Sequence, residues 1–196
     1  GKIQEKKENL TYKGNYKHYQ QLWLKSKPLL IERFWIDLLT YTIPSEPVQV
    51  QRIIEEQNIP FNDNMKFLPI LFSVERWHKE ITYRDEKVME YALRDVAGNF
   101  FIKEDRQGQM VLIKRGILVY ILPVVDSFGK NKAELSKVCQ TIINYCNQYL
   151  DCDISSYIGE PVSIQYMPDM FETLLTNESE NVSFTNKVFH LSDHKR

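Results

Sequence analysis

The sequence is poor in glycine and cysteine, and it contains no long apolar run. Glycine contributes 7 of the 196 residues, so glycine-rich loops that cradle phosphate groups are nearly excluded. The 3 cysteines form no Cys-x-x-Cys pair, which argues against a zinc knuckle and against a disulfide framework. No apolar stretch reaches the roughly 18 residues that a membrane span needs. The commonest phosphate, zinc and membrane signatures are therefore missing.

Positive and negative charges are nearly balanced, with 25 Lys and Arg against 26 Asp and Glu. This balance excludes a polybasic nucleic-acid surface spread over the whole chain. A composition of 43% apolar and 26% charged residues is that of a globular domain rather than a disordered chain. The first residues, GKIQEKKENL, lack the apolar stretch of a signal peptide. We expect a cytoplasmic protein and, because the sequence does not start with Met, a piece of a longer one.

The familiar catalytic patterns are also missing. The histidines are scattered, and only His190 and His194 lie four residues apart, without a glutamate between them, so we expect no metal site. The sequence contains no Gly-x-Ser-x-Gly and no Walker loop. The acid pair Asp151 and Asp153 is interpreted as solvated surface. We therefore expect no catalytic residues, no enzyme activity and no cofactor.

An aromatic stripe marks the N-terminal region, at residues 1–27. Its members recur at spacings of four, three and four, as on one face of an amphipathic helix with coiled-coil rhythm. One interpretation is a terminal helix that lies on its own domain, and the other is a two-stranded linker that pairs two protomers. The stripe covers barely two heptads, so both interpretations stay open. Its residues are Tyr12, Tyr16, Tyr19 and Trp23.

Residues 28–43 predict a helix that is apolar on two sides, and we expect it to be covered on two sides. Pro28 either starts this helix or kinks a longer one. The following segments alternate between helical and extended patterns, which predicts an α+β fold, with a mixed sheet and helices packed on it. The predicted elements are a helix at 47–57, a strand at 66–76, a helix at 84–102, strands at 110–114 and 117–125, a helix at 133–150, a strand at 154–167 and a helix at 168–176.

Individual residues within these elements carry further expectations. Pro69 inside the first strand predicts an irregular start or an edge position, because proline donates no ladder hydrogen bond. Val88 is placed on the apolar face of the helix at 84–102. Tyr149 is placed on the apolar face of the helix at 133–150. Cys139 and Cys146 on that same face are interpreted as small core hydrophobes.

The carboxyl end of the first strand is the place where α/β sheets hold ligands. There Trp77 offers a stacking surface, and Arg76 or Lys79 offers a charge for an anion. The alternative is that Trp77 caps the core while the charges face water. Glu75, Trp77 and Arg115 are the ligand-site candidates.

Four segments resemble the middle region of AraC-type two-component response regulators of the YesN group. That family carries a receiver domain, a helical linker, a middle domain and a DNA-binding domain of two helix-turn-helix motifs. The resemblance covers about residues 20–190 and consists of diffuse apolar patterns. The segments are PLLIERFWIDLL, VERWHKEITYRDEKVMEYALRDVAGNFF, KRGILVYILP and ISSYIGEPVSIQYMPDMFETLL.

The middle region also resembles a degenerate GGDEF (diguanylate-cyclase-like) domain. Active members carry Gly-Gly-Asp-Glu-Phe in a two-strand hairpin, whereas the matching turn here spans 114–118 and keeps only Gly116. Ser73 and Glu75 lie where metal-binding aspartates would be expected. Two metals on a triphosphate need several carboxylates, so the resemblance implies a descendant without catalysis.

The resemblance implies a signal-coupling and dimerisation module that links a receiver to an AraC-type DNA-binding domain. We expect a helical linker at 1–43, a degenerate GGDEF-like domain at 44–176 and a C-terminal linker at 177–196. The parent protein would bind DNA and a sensor histidine kinase. This chain would form a homodimer, with no membrane association and no specific DNA binding of its own. The alternatives are a nucleotide- or sugar-sensing domain and, third, a residual cyclase-like enzyme.

Overall fold

The computed structural model describes residues 28–103, 108–124 and 132–191. The order of elements is that of the sequence-based prediction, with one additional short strand at each side of the last helix. The helices are α1 (Pro28–Leu39), α2 (Pro47–Glu56), α3 (Tyr83–Lys103), α4 (Lys132–Tyr149) and α5 (Met167–Glu180). The strands are β1 (Lys66–Trp77), β2 (Gln109–Lys114), β3 (Ile117–Val124), β4 (Cys152–Ile158), β5 (Val162–Ser163) and β6 (Val188–His190).

The strands form one sheet in the order β2-β3-β1-β4-β6, and β5 pairs with the start of β1. β1 runs antiparallel to both of its neighbours, β3 and β4, and β6 runs parallel to β4. The sheet is therefore mixed. The succession β1-α3-β2-β3-α4-β4 interleaves two β-α-β units, as in ferredoxin-like folds.

Helices cover both faces of this sheet, which confirms the expected α+β fold class. On the first face, α3 and α4 enclose one buried cluster with side chains from β1, β3 and β4. On the second face, α1, α2 and α5 enclose the other buried cluster. We call these face one and face two. Each helix contributes buried apolar side chains to one of the two clusters, and such burial is what stabilises layered folds.

The described part of helix α1 spans Pro28–Leu39, so the helix ends four residues short of the predicted end. The residues before Pro28 lie outside the described residues, so whether Pro28 starts the helix or kinks a longer one stays a prediction. The contact of α1 with a second surface, besides the body of the domain, stays a prediction. The helix presents one wide stripe to face two, while Leu29 is 79% exposed. The buried stripe consists of Ile31, Phe34, Trp35, Leu38 and Leu39.

Pro69 lies in a central strand, so the prediction of an irregular start or an edge position was wrong. Its carbonyl accepts a hydrogen bond from Gly159 N at 3.0 Å, just where β4 ends. The carbonyl and the nitrogen of one strand residue face the same neighbour, so the missing N–H faces the gap between β4 and β5. A Cβ on Gly159 would approach Pro69 O to 3.0 Å. The proline and the glycine therefore fit each other at this junction.

The predicted strand at 154–167 is broken in the structure. β4 ends at Ile158, β5 contains only Val162 and Ser163, and a 3-10 turn covers Ile164–Tyr166. Pro161 lies in the interruption, and because it lacks an N–H it cannot continue a ladder.

Two helix faces also differ from prediction at single residues. Val88 is exposed, and the inner face of α3 carries Glu86 and Glu90 where an apolar stripe was expected. Tyr149 at the end of α4 is exposed. Cys139 and Cys146 are buried as predicted.

Candidate polar site at the end of strand β1

The carboxyl end of β1 meets the β2–β3 turn. Val74 N donates a hydrogen bond to Gly116 O at 2.8 Å, which ties the turn to the strand. Gly116 has a φ of 77°, a left-handed conformation that glycine adopts without steric cost. The glycine of the turn between β2 and β3 therefore has a conformational reason. The side chain of Arg115, the preceding residue, extends towards α3.

Arg115 forms an ion pair with Glu86 in the first turn of α3, with 2.6 Å between Nε and Oε1. The Glu86 side chain is 5% exposed, whereas the Arg115 side chain is 74% exposed. The hydrogen bond from Arg115 lowers the pKa of Glu86, and it outweighs burial, which acts in the opposite direction. The arginine is therefore engaged by the protein itself rather than held open for an anion.

A second buried acid follows one helical turn later. Glu90 is 2% exposed, and Lys87 Nζ lies 3.2 Å from its Oε2. Its other carboxylate oxygen, Oε1, is buried and has no hydrogen-bond partner among the described residues. Two acids on the inner face of α3 thus rely on Arg115 and Lys87 for their charge balance.

The three ligand-site candidates do not all lie on the same face of the sheet. Trp77 packs partly buried against the cluster of face one, and Arg115 is directed to Glu86 on that same side. Glu75 is exposed, at a register shift of β1, and its charge raises the pKa of Tyr157 on face two after the larger effect of burial. Their role in binding a ligand stays a prediction. The aromatic stripe Tyr12, Tyr16, Tyr19 and Trp23 lies outside the described residues.

Ser73 occupies one of the positions where the GGDEF-like resemblance expects an aspartate. Its hydroxyl donates to Glu178 Oε1 of α5 at 2.9 Å. The side chain therefore fastens α5 to β1 on face two.

The structure also reveals a polar cluster that the sequence did not predict. Asp153 was interpreted as solvated surface, but it is 7% exposed and accepts hydrogen bonds from three segments. Arg76 binds its Oδ2 at 3.0 Å. Its Oδ1 accepts from His78 Nε2 at 2.9 Å, from Asn147 Nδ2 at 2.9 Å and from Asn186 Nδ2 at 3.0 Å. We call these five residues the Asp153 hub.

Asn186 joins the segment before β6 to this hub. Its φ of 54° is left-handed, a conformation that asparagine tolerates better than most residues. Its Oδ1 accepts from Ile154 N at 3.1 Å, so one side chain bonds both Asp153 and the backbone of β4. An Asn far along the chain gives no local pattern that would have predicted this contact.

The pKa of Asp153 reflects these contacts. Burial alone would raise it, but hydrogen bonds from Asn186 and His78, with the charges of His78 and Arg76, hold it below its ordinary value. The carboxylate is therefore ionised at neutral pH. An ionised acid with all its lone pairs engaged by the protein serves to hold segments together.

No group of three or more His, Cys, Asp or Glu side chains that could hold a metal ion occurs in the part of the chain that the structure describes. Among the helices that the structure describes, none is both long and apolar enough to cross a membrane. No protein-family model matches the chain, and no curated protein matches it.

Proposed function

We propose that the chain is a non-catalytic coupling and dimerisation module of a cytoplasmic two-component response regulator. It would link a receiver domain to an AraC-type DNA-binding domain, with a sensor histidine kinase as the partner of the whole protein. The observation that carries this proposal is that α1 and β6 are fastened to opposite edges of one sheet. A module that passes a state from one flanking segment to another needs both segments bound to the same rigid body.

The incoming side is helix α1. Arg94 of α3 reaches round the edge strand β2 to Glu32 of α1, with 2.8 Å between Nη2 and Oε2. The same guanidinium donates to Met110 O of β2 at 3.4 Å. Because α1 lies on face two and α3 on face one, this ion pair clamps both layers. Motion imposed on α1 therefore acts on the whole edge of the sheet.

Helix α1 is also fastened to α5 on face two. Beyond the end of α1, the Tyr41 hydroxyl donates to Asp169 Oδ1 at 3.1 Å and to Glu172 Oε2 at 2.9 Å. This second attachment leads towards the outgoing side, because α5 ends next to β4 and β6.

The outgoing side is strand β6. Phe189 stacks on Tyr157 of β4 with 5.1 Å between the ring centroids. Asn181 at the end of α5 donates to the Tyr157 hydroxyl at 2.7 Å, and the hydroxyl of Ser136 in α4 is hydrogen-bonded to His190. A chain of contacts thus leads from α1 through α5 to β6. Contact alone does not establish coupling, so the coupling is tested separately below.

The site at the end of β1 favours this proposal over catalysis or ligand sensing. Arg115, a ligand-site candidate, is paired with Glu86, and Ser73, where the resemblance expects a metal-binding aspartate, is bonded to Glu178. Both side chains are thus engaged by the protein itself. A nucleotide- or sugar-sensing domain remains the second proposal, with weaker support for that reason. A residual cyclase-like enzyme is the third.

We expect the chain to sediment as a dimer, and Tyr16→Asp with Trp23→Asp to convert it to a monomer. The charges would interrupt the aromatic stripe, and a buried unpaired charge is costly. Sedimentation velocity and equilibrium at micromolar concentrations measure the change as a halving of the mass.

Lys17→Asp with Gln21→Asp is the matched control, because it adds the same number of acids to the opposite side of the predicted helix. This control should remain dimeric. A wild-type chain that is monomeric at high micromolar concentration would remove the dimerisation part of the proposal.

A further inference from the structure

A groove of about 670 Å³ lies beside α2, away from the site at the end of β1. It is lined by α2, by the loop that precedes β1 and by the 3-10 turn that follows β5. Side chains from three separate segments therefore meet there. Pockets that bind small molecules commonly enclose about 300–1,000 Å³, so this groove is large enough for such a ligand. We call it the α2 groove.

The floor of the α2 groove is apolar. Val50 and Ile164 line it with exposures of 1% and 5%, and both belong to the buried cluster of face two. Val48, which also lines the groove, is 79% exposed. Apolar surface thus continues from the core to the open side of the groove. A ligand that covers Val48 would remove this surface from water, which is favourable.

Two amide side chains line the groove, and they come from different segments. Gln51 of α2 and Gln165 of the 3-10 turn are both half-buried. Gln51 Nε2 donates to Glu55 Oε1 at 3.1 Å, whereas the side chain of Gln165 has no hydrogen bond with the other described residues. A primary amide carries both donors and an acceptor, as a peptide group does. The two glutamines therefore suit a ligand that contains peptide groups.

Arg52 of α2 supplies a positive charge to the groove. Its side chain is 63% exposed, and its ion pair with Glu56 is long, with 3.8 Å between Nε and Oε1. The Glu56 side chain is 66% exposed. Because an exposed pair of this kind contributes little to stability, the guanidinium can turn to another anion at little cost. A carboxylate is an anion that the planar fork of arginine binds through two parallel hydrogen bonds.

Two acids supply negative charge to the same groove. Glu55 and Asp63 line it, and both are exposed. Asp63 follows Asn62, whose Oδ1 accepts a hydrogen bond from Asn64 N at 3.0 Å. This turn fixes the backbone at Asp63. Charges of both signs beside an apolar floor match a ligand that carries an ammonium group and a carboxylate.

We propose that the α2 groove is a binding site for a zwitterionic peptide of about three residues. The wall that α2 contributes runs from Val48 to Glu55, which at about 1.5 Å per residue is about 10 Å long. An extended chain covers about 3.3 Å per residue, so a tripeptide matches this length. Its carboxylate binds Arg52, and its ammonium group binds Glu55 or Asp63. Its peptide groups face the two glutamines, and its central side chain lies on the apolar floor.

This site is independent of the proposed function, because it requires only the walls of the groove. It also differs in place and in chemistry from a nucleotide or sugar site at the end of β1. A bound peptide would connect α2 with the loop at 62–65 and with the turn at 164–166. Since the unfolded chain has no such groove, binding would stabilise the folded state.

Titration of the full chain with alanyl-leucyl-alanine, followed in ¹H–¹⁵N TROSY spectra, tests the site. We expect saturable shifts at millimolar peptide, confined to amides at 47–56, 62–65 and 162–166. The same peptide with an acetylated N-terminus and an amidated C-terminus lacks both charges. It should bind about tenfold more weakly or worse, because hydrogen bonds between charged groups are the stronger ones. Free alanine keeps both charges but is too short, and it should also bind about tenfold more weakly or worse.

Arg52→Met and Asp63→Asn should each weaken the binding of the tripeptide about tenfold. Both side chains are exposed, so the spectra of the free variants should keep the wild-type dispersion. Arg33→Met and Asp95→Asn are the matched controls, since they make the same changes outside the groove, and they should bind like the wild type. The proposal is overturned if no saturable shifts occur at the groove, or if the capped peptide or free alanine binds as well as the tripeptide. It is also overturned if the controls weaken binding as much as the groove variants do.

Discussion

Trp35→Ala is expected to lower the free energy of unfolding by about 3–5 kcal/mol, the usual cost of truncating a buried aromatic side chain. Trp35 is 1% exposed and lies at the centre of the aromatic contacts between α1 and the sheet. Its ring centroid is 5.1 Å from that of Phe67 in β1 and 5.4 Å from that of Phe61. Removal of the indole would leave a cavity between α1 and face two.

Urea denaturation followed by far-ultraviolet circular dichroism measures this loss. Leu29→Ala is the matched control, because Leu29 belongs to the same helix but is exposed, and its change should stay within about 0.5 kcal/mol. An equally small effect of Trp35→Ala would mean that α1 is not packed as described. The incoming side of the proposed coupling module would then have no rigid attachment.

Asp153→Ala is the second substitution with a large expected effect. It should lower the free energy of unfolding by about 2–4 kcal/mol at neutral pH. Hydrogen bonds to a charged group are worth more than neutral ones, and donors left without an acceptor in a buried site add a penalty. Arg76, His78, Asn147 and Asn186 all lose their shared acceptor. Chemical denaturation of the variant and of the wild type at pH 7 gives the difference directly.

The pH dependence of this difference identifies its cause. The pKa of Asp153 in the folded protein is lowered, below the value of about 3.9 expected in the unfolded chain. Its contribution is therefore fully present above that pH and is lost as the pH falls through the folded pKa. The difference in the free energy of unfolding between the wild type and Asp153→Ala should therefore decrease below about pH 4. Other acids, such as Glu86, titrate in both proteins and cancel in the comparison.

Asp151→Asn is the control for charge, because Asp151 lies two residues away and is paired with exposed Lys79, with 3.4 Å between Nζ and Oδ2. Asparagine also tolerates the left-handed backbone at that position. This control should keep nearly wild-type stability at pH 7. If Asp151→Asn lowered the free energy of unfolding as much as Asp153→Ala does, negative charge near the start of β4, rather than the contacts of the Asp153 hub, would be what stabilises the fold there.

Local sequence patterns predicted the helices and most strands because each pattern reports a neighbourhood of a few residues. The periodicity of α4 identified its buried face down to Cys139 and Cys146. The strand at 66–76 was predicted from its apolar run alone. The same reasoning failed at Pro69, since the fit of a proline in a central strand depends on where β4 ends, ninety residues later.

The polar site was missed for the same reason: local patterns report only neighbouring residues. The Asp153 hub gathers Arg76, His78, Asn147 and Asn186 from separate parts of the chain, and no short motif joins them. The ion pair between Glu86 and Arg115 likewise joins a helix to a distant turn. Charges that meet only after folding have no signature in local composition, so a solvated surface was the ordinary interpretation. The aromatic stripe at 12–23 stays a prediction.

Hydrogen exchange of the β6 amides in Arg94→Met tests the coupling claim most directly. The substitution keeps much of the side chain but removes the ion pair with Glu32 at the opposite edge of the sheet. If α1 and β6 are coupled, amides at 188–190 should exchange about fivefold faster or more, the lower end of typical coupling, while amides at 70–72 in β1 stay unchanged. Arg33→Met is the control, because Arg33 forms its ion pair with Asp37 of the same helix. Faster exchange confined to α1 and β2, with β6 unaffected, would contradict the account.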